Sequence, residues 1–213
     1  MDMRHSSTKL EHRIILDWIP PRSSVLDLGC GNGELLSVLA KERQVQGQGI
    51  EIDQQAIHQC VTEGLSVFQQ DIDIGLSEYA DKFFDFVILY QSFQQVKKPN
   101  FVLKEALRVG KKVIVGFPNF VYYKARLQIF FVGKVPVTSA LPYEWHDTPN
   151  LHFLSILDFI EYCNQKRIRI EKSSFVDSSR KVRFFPNFFA EIGIFLLSQE
   201  ISIPSGQLKE SKR

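Results

Sequence analysis

Apolar and polar positions along the chain alternate between two periods. Leu10, Ile14, Ile15 and Trp18 recur at helical spacing ahead of Pro20 and Pro21, with Ser7 or Thr8 placed to cap that helix. Short apolar runs then alternate with helical patterns: SSVLDLG, GELLSVLAKER, GQGIEID, QQAIHQCVTEG, LSVFQQD, FFDFVILY, NFVLKEALRVG and KKVIVGF. Strands apolar on both faces and separated by helices predict a parallel sheet sandwiched between helices. From 118 to 152 prolines, aromatic residues and a helical stretch, VYYKARLQIFFVG, make an interruption longer than an ordinary strand-to-helix connection. A helix, ILDFIEYCNQK, then precedes two strands, IRIEKSSFV and EIGIFLLSQ, predicted as an antiparallel edge. The polar end, PSGQLKESKR, predicts a disordered tail.

The first strand breaks into DLGCGNG, which puts Gly29, Gly31 and Gly33 between a strand end and a helix start. Glycine is required where φ is positive or where a ligand approaches closer than a Cβ permits, and the free N–H groups of a helix N-terminus point outward there. A dinucleotide loop reads G-x-G-x-x-G, and counted from Gly29 and Gly31 the third glycine's place is Glu34, whose charge and bulk oppose a pyrophosphate. No Gly-Lys-Ser or Gly-Lys-Thr ends the stretch, so a P-loop is excluded.

The remaining pattern, G-x-G-x-G preceded by Asp27 inside the strand, resembles motif I of the class I S-adenosylmethionine-dependent methyltransferases. That ligand carries no phosphate, so a neighbouring carboxylate is compatible with it. Glu51, twenty residues beyond Gly31 at the end of the next strand, is placed to accept hydrogen bonds from both ribose hydroxyls. The resemblance further implies that Asp71 lies beside the adenine with Ile72 in apolar contact, and it brings Cys30 and Ile52 into the cofactor site with their neighbours. Tyr90 and Gln91, at the end of the fourth strand, are candidates for the wall of the cofactor or substrate pocket. No catalytic residue is assigned, because methyl transfer from a sulfonium asks for alignment and desolvation more than for an acid-base pair.

Composition narrows the picture further. A length of 213 residues suits one domain with a sizeable core, and 44% hydrophobic with 23% charged residues is a globular balance. A net charge of +2 is too mild for a nucleic-acid binder. Arg167, Arg169, Lys172, Arg180, Lys181 and Arg183 do crowd one region, read as a solvated face or partner surface. Cys30, Cys60 and Cys163 are widely spaced, with no metal or redox motif, which fits a reducing, cytoplasmic setting. The segment LPYEWHDTPNLHF gathers Tyr143, Glu144, Trp145, His146, Asp147 and His152 without metal-ligand spacing, and reads as a lid or partner surface. No metal site is expected, and neither a signal core nor a membrane-length apolar run is present in the sequence.

Enzymes that methylate exocyclic amines of bases typically carry Asn/Asp-Pro-Pro-aromatic after the fourth strand, where this chain reads LYQSFQQVKKP. No cysteine follows a proline, as the cytosine-carbon methylating enzymes require. In order, VLDLGCGNGELL, GIEID, GLSVFQQDID, FDFVILYQSFQ, LKEALRVGKK, FPNF and PVTSALPYEWHDTPNLH resemble the MetW family of methionine biosynthesis proteins, from about Val25 to about Ile170. The resemblance implies a doubly wound, Rossmann-like class I methyltransferase fold of about seven strands, mostly parallel with an antiparallel edge strand. It implies one domain over 1–204 with a lid or partner segment near 118–152, and a tail over 205–213. It also implies S-adenosylmethionine or S-adenosylhomocysteine as ligand and homoserine O-acyltransferase as partner. The expected role is support of that acyltransferase step, with methyl transfer to a small molecule as the alternative.

Overall fold

Side chains that alternate between the two faces of each strand divide the interior into two apolar layers. The computed structural model describes residues 9–178 and 180–199. The helix α1 (Leu10–Trp18) leads into β1 (Ser24–Leu28), α2 (Glu34–Arg43), β2 (Gln46–Glu51), α3 (Gln54–Thr62), β3 (Ser66–Gln69), β4 (Phe84–Tyr90), α4 (Pro99–Val109) and β5 (Gly110–Pro118). There follow α5 (Tyr123–Val132), α6 (Ile156–Gln165), β6 (Ile168–Asp177), β7 (Arg180–Lys181), α7 (Pro186–Phe189) and β8 (Ile192–Gln199). Val25, Phe86, Ile88, Ile114, Ile194 and Leu196 face one layer, under α1 and α2. Their strand neighbours Leu26, Leu28, Val87, Leu89, Val113, Val115, Phe195 and Leu197 face the other, under α4 and α6. The period of two that defines a strand thus buries apolar side chains on both faces of the central strands, with Asp27 of β1 a buried polar exception.

The strands form one eight-stranded sheet in the order β3-β2-β1-β4-β5-β8-β6-β7. The pairs from β3 to β5 are parallel, whereas β8 runs antiparallel to both β5 and β6. Strand order reverses between β1 and β4, which opens a crevice beyond their carboxyl ends.

One expectation needs correction, and another gains detail. The sheet has eight strands rather than about seven, because the basic link between β6 and β8 contributes the two-residue β7. The antiparallel edge is formed as expected by β6 and β8, and within it β8 inserts between β5 and β6, leaving β6 and β7 outermost. The cause is burial, since β8 is buried at six successive positions and β6 at only one. A continuous apolar strand gains more from an interior place than a polar one.

Local signals fix several helix ends. Asp53 caps α3 through Ala56 N–H, Pro99 opens α4, and Ser155 with Asp158 forms a capping box on α6. The proposed Ser7 or Thr8 cap and the 205–213 tail lie outside the described residues. No helix among the described residues is long and apolar enough to cross a membrane.

Candidate functional site

At the crevice the chain leaves β1 through the glycine loop, and its glycines meet different requirements. All three have positive φ, between +53° and +76°. A Cβ on Gly29 would lie 2.6 Å from Ser92 Cβ, and one on Gly33 would lie 2.5 Å from Leu65 Cδ1 and 2.9 Å from Cys60 Sγ. Those two glycines let the loop after β4 and the α3–β3 connection pack closely. A Cβ on Gly31 would meet nothing within 4 Å, so Gly31 alone opens the loop toward space.

That space is a cavity of about 830 Å³, lined by Asp27, Gly29, Cys30, Gly31, Glu51, Ile52, Asp71, Ile72 and Tyr90, but not by Gly33. The candidate residues are thus drawn from the ends of β1, β2 and β4 and the turn after β3, where topology makes neighbours of segments far apart in sequence. Gln91, Ser139, Tyr143, Asn150, Ser178 and Glu191 close the other side, so the 118–152 segment contributes wall to the same cavity.

Glu51 is the hinge of the arrangement. Its Oε2 accepts the Gly31 N–H at 2.8 Å, and its Oε1 accepts the N–H groups of Ile52 at 2.8 Å and Asp53 at 3.0 Å. These bonds fix the carboxylate while leaving it acceptor capacity toward the cavity, since an ionised carboxylate offers about four lone-pair sites. Asp71 Oδ1 accepts the Asp73 N–H at 2.9 Å and caps the 72–74 turn, a structural duty beside its place in the wall.

Asp27 is buried, its Oδ1 has no partner, and its pKa is pushed up to about 7 by burial and then by the charge of Glu51. Burial likewise raises the Cys30 thiol, with the Asp27 charge adding to it, so Cys30 is an apolar wall and weak donor rather than a nucleophile. Tyr90 is raised chiefly by burial, with Glu11 contributing, and stays a neutral phenol.

Two residues at this site escape a reading of the sequence. His12 on α1 and Gln94 beyond β4 are both buried, and His12 Nδ1 and Gln94 Oε1 lack hydrogen-bond partners. Together with Asp27 Oδ1, they are the buried side-chain polar atoms left unpaired among the described residues, and all three residues line this cavity. His12 also meets the Tyr90 ring edge-to-face at 5.6 Å. Its Nδ1 lies 3.9 Å from Glu34 Oε1, but burial outweighs that carboxylate and lowers the pKa, so the imidazole is neutral and the contact is no ion pair. The only sequence signal was a histidine in place of an apolar residue on the helix face that carries Ile15 and Leu16.

Orphaned buried polar atoms are costly unless a ligand or water pairs with them. Three residues with such atoms in the lining of one cavity suit a ligand that carries several N–H and O–H donors. S-adenosylmethionine supplies such donors: Glu51, with three of about four acceptor sites in use, would accept from the ribose, Asp27 would face the cationic amino acid end, and Gly31 would allow the close approach. When bound it supplies an electrophilic methyl group on sulfur. With that ligand bound, the lining residues would orient it, exclude water and neutralise its charge.

The fold is that of class I S-adenosylmethionine-dependent methyltransferases. A methyltransferase of this kind from Archaeoglobus fulgidus superposes with a TM-score of 0.66 at 16% identity, over 89% of this chain and 91% of that one. The magnesium protoporphyrin IX methyltransferase of Synechocystis, solved with S-adenosylhomocysteine, gives 0.63 at 15% identity over 89% and 82%. The [4+2]-cyclase SpnF gives 0.62 at 16% identity over 89% and 80%, so the same fold hosts a different chemistry.

Sequence narrows the class to a family. The family described as methionine biosynthesis protein MetW matches residues 9–197, and the chain belongs to it. A bifunctional methionine biosynthesis protein MetXA/MetW from Rhodopirellula baltica is 34% identical over 187 residues, 84% of this chain. The chain spans 30% of the length of that relative.

Proposed function

We propose that this protein binds S-adenosylmethionine or S-adenosylhomocysteine in the cavity above Gly31 and supports the homoserine O-acyltransferase step of methionine synthesis. The observation that carries the binding half is that His12, Asp27 and Gln94, each with an unpartnered buried polar atom, all line the one cavity beside the glycine loop. The fused MetXA/MetW relative supports the second half, because one chain there holds both parts at high effective concentration. The buried, free thiols of Cys30, Cys60 and Cys163 support a reducing, cytoplasmic setting.

The deciding experiment measures homoserine acyltransferase activity with and without this protein, each with and without S-adenosylmethionine. The expected result is a rise in activity on addition of the protein. Equal activity across a range of concentrations overturns the reading.

A second reading, methyl transfer to a small molecule, is favoured by the extent of the cavity's lining. Beyond the candidate cofactor residues it continues to Ser139, Tyr143, Asn150 and Glu191, which leaves room for an acceptor. Release of S-adenosylhomocysteine on incubation with a cell extract, lost in Gly31→Arg, would establish it.

A further inference from the structure

Outside the cavity lining, α5 and the segment around α7 form an exposed apolar surface. Of the ten residues of α5 only Ala125 is buried, although the helix reads YKARLQIFFV. Phe130 and Phe131 are 81% and 74% exposed, and Leu127, Ile129 and Val132 are exposed beside them. The surface continues onto α7, where Tyr123 stacks on Phe188 at 5.9 Å and the Arg126 guanidinium lies 5.5 Å from the Phe188 ring centroid. Just before α7, Phe184 and Phe185 are 81% and 77% exposed. Phe185 is held at φ +45°, a left-handed conformation that a bulky residue adopts at a cost, with its ring in solvent. Scattered apolar side chains are normal on a protein surface, but a continuous aromatic face of this kind marks a contact.

Its charge says what kind. From Pro118 to Tyr143 and from Ser178 to Ala190 the sequence holds Lys124, Arg126, Lys134, Arg180, Lys181 and Arg183 and no acidic residue. A second copy of this chain, packed face to face, would set these cations against one another with few carboxylates at the border to offset them, Asp177 being already paired with Arg180 at 3.7 Å, which is unfavourable. A different protein, apolar at the centre and acidic at the rim, is complementary.

We propose that the basic aromatic face built by α5 and the 180–189 segment is the surface on which the homoserine acyltransferase docks. This rests on the functional reading above, and the MetXA/MetW fusion supplies the partner's identity. The face is continuous with the cavity: Gln128 Oε1 on α5 accepts the Val137 N–H at 3.2 Å, and two residues on, Ser139 donates to Glu191 Oε1 at 2.6 Å in the cavity wall. Docking and ligand binding therefore act on one stretch of chain, and each shifts the other to the extent that the stretch differs between states.

The test uses the full chain and the purified MetXA-type acyltransferase of the same cell, titrated by calorimetry at low and high salt. Phe130→Glu combined with Phe131→Glu is expected to weaken the complex about a hundredfold or more, as expected for aromatic anchors. Lys134→Glu combined with Arg183→Glu, which leaves the aromatic residues intact, is expected to weaken it and to flatten its salt dependence. Val61→Glu, on exposed α3, should leave it unchanged, and each variant should retain wild-type affinity for S-adenosylmethionine in the absence of the partner.

An unchanged complex in both double variants overturns the surface while leaving the functional reading standing. No complex with the wild-type protein overturns the functional reading itself. Loss of self-association in the phenylalanine variant would assign the face to a second copy, and co-sedimentation of the wild type with anionic phospholipid vesicles would assign it to a membrane. Either result overturns the proposal.

Discussion

The Glu51 carboxylate accepts the Gly31 N–H at 2.8 Å, tying the end of β2 to the middle of the glycine loop. One acid thus shapes the loop that leaves room for a ligand and faces the space so created. Its removal has two effects, a looser loop and a missing acceptor for the ribose. Glu51→Ala is expected to weaken S-adenosylmethionine binding roughly ten- to hundredfold, from about 1.5–3 kcal/mol for hydrogen bonds to a charged group. An unchanged affinity by calorimetry would remove Glu51 from the ligand's contacts.

Gly31 and Gly33 should separate binding from stability. Gly31→Arg places a side chain in open space and is expected to abolish ligand binding with a loss of stability of about 1–2 kcal/mol from the positive φ. Gly33→Ala drives a Cβ into Leu65 and Cys60, and is expected to lower stability by about 1–3 kcal/mol while the ligand still binds the folded fraction. Denaturant unfolding and a ligand titration on both variants distinguish the roles, and a Gly31 variant with wild-type affinity would contradict the assignment.

For Asp27, pH is the probe. Its pKa rises from 3.8 to about 7 on folding, so between those values the folded state holds the proton more tightly than the unfolded one. Stability of the ligand-free protein therefore contains a contribution that declines as pH rises through that window. A cationic ligand favours the ionised form, so S-adenosylmethionine should bind more tightly as pH rises through about 7, with release of a proton. Calorimetry in buffers of different ionisation enthalpy measures that proton. Asp27→Asn should flatten both profiles, and a pH-independent affinity in the wild type would place the ligand's charge elsewhere.

His12→Phe is expected to move stability and binding in opposite directions. Phenylalanine keeps an aromatic ring against Tyr90 and removes the unpaired Nδ1, so thermal stability without ligand should hold or rise, by up to about 1–3 kcal/mol. The stabilisation produced by saturating S-adenosylmethionine should fall. A full ligand-induced shift in this variant would show that the His12 nitrogen does not face the ligand.

Much of this site is legible in the linear chain because its chemistry sits at strand ends, which apolar runs locate well. Asp27, the glycines, Glu51 and Asp71 each follow a run whose period names a strand. His12, Gln94 and Glu191 follow no such rule. His12 lies within a packing helix, Gln94 within a polar stretch, and Glu191 ahead of the last strand, and each reaches the cavity through a contact distant in sequence. Sequence spacing also lent the three glycines a single purpose, which the neighbours of each Cβ position divide between close packing and an open cradle.

What the sequence alone determined is the alternation of strands and helices, the parallel sheet and the family, because local periodicity and a contiguous motif survive in one dimension. Only the tertiary structure decided that β8 lies inside β6, that three residues with unpaired polar atoms line one cavity, and that α5 leaves its aromatic residues in solvent. Those outcomes depend on which surfaces compete for burial once the whole chain is packed, and a pattern read along one segment carries no information about its competitors.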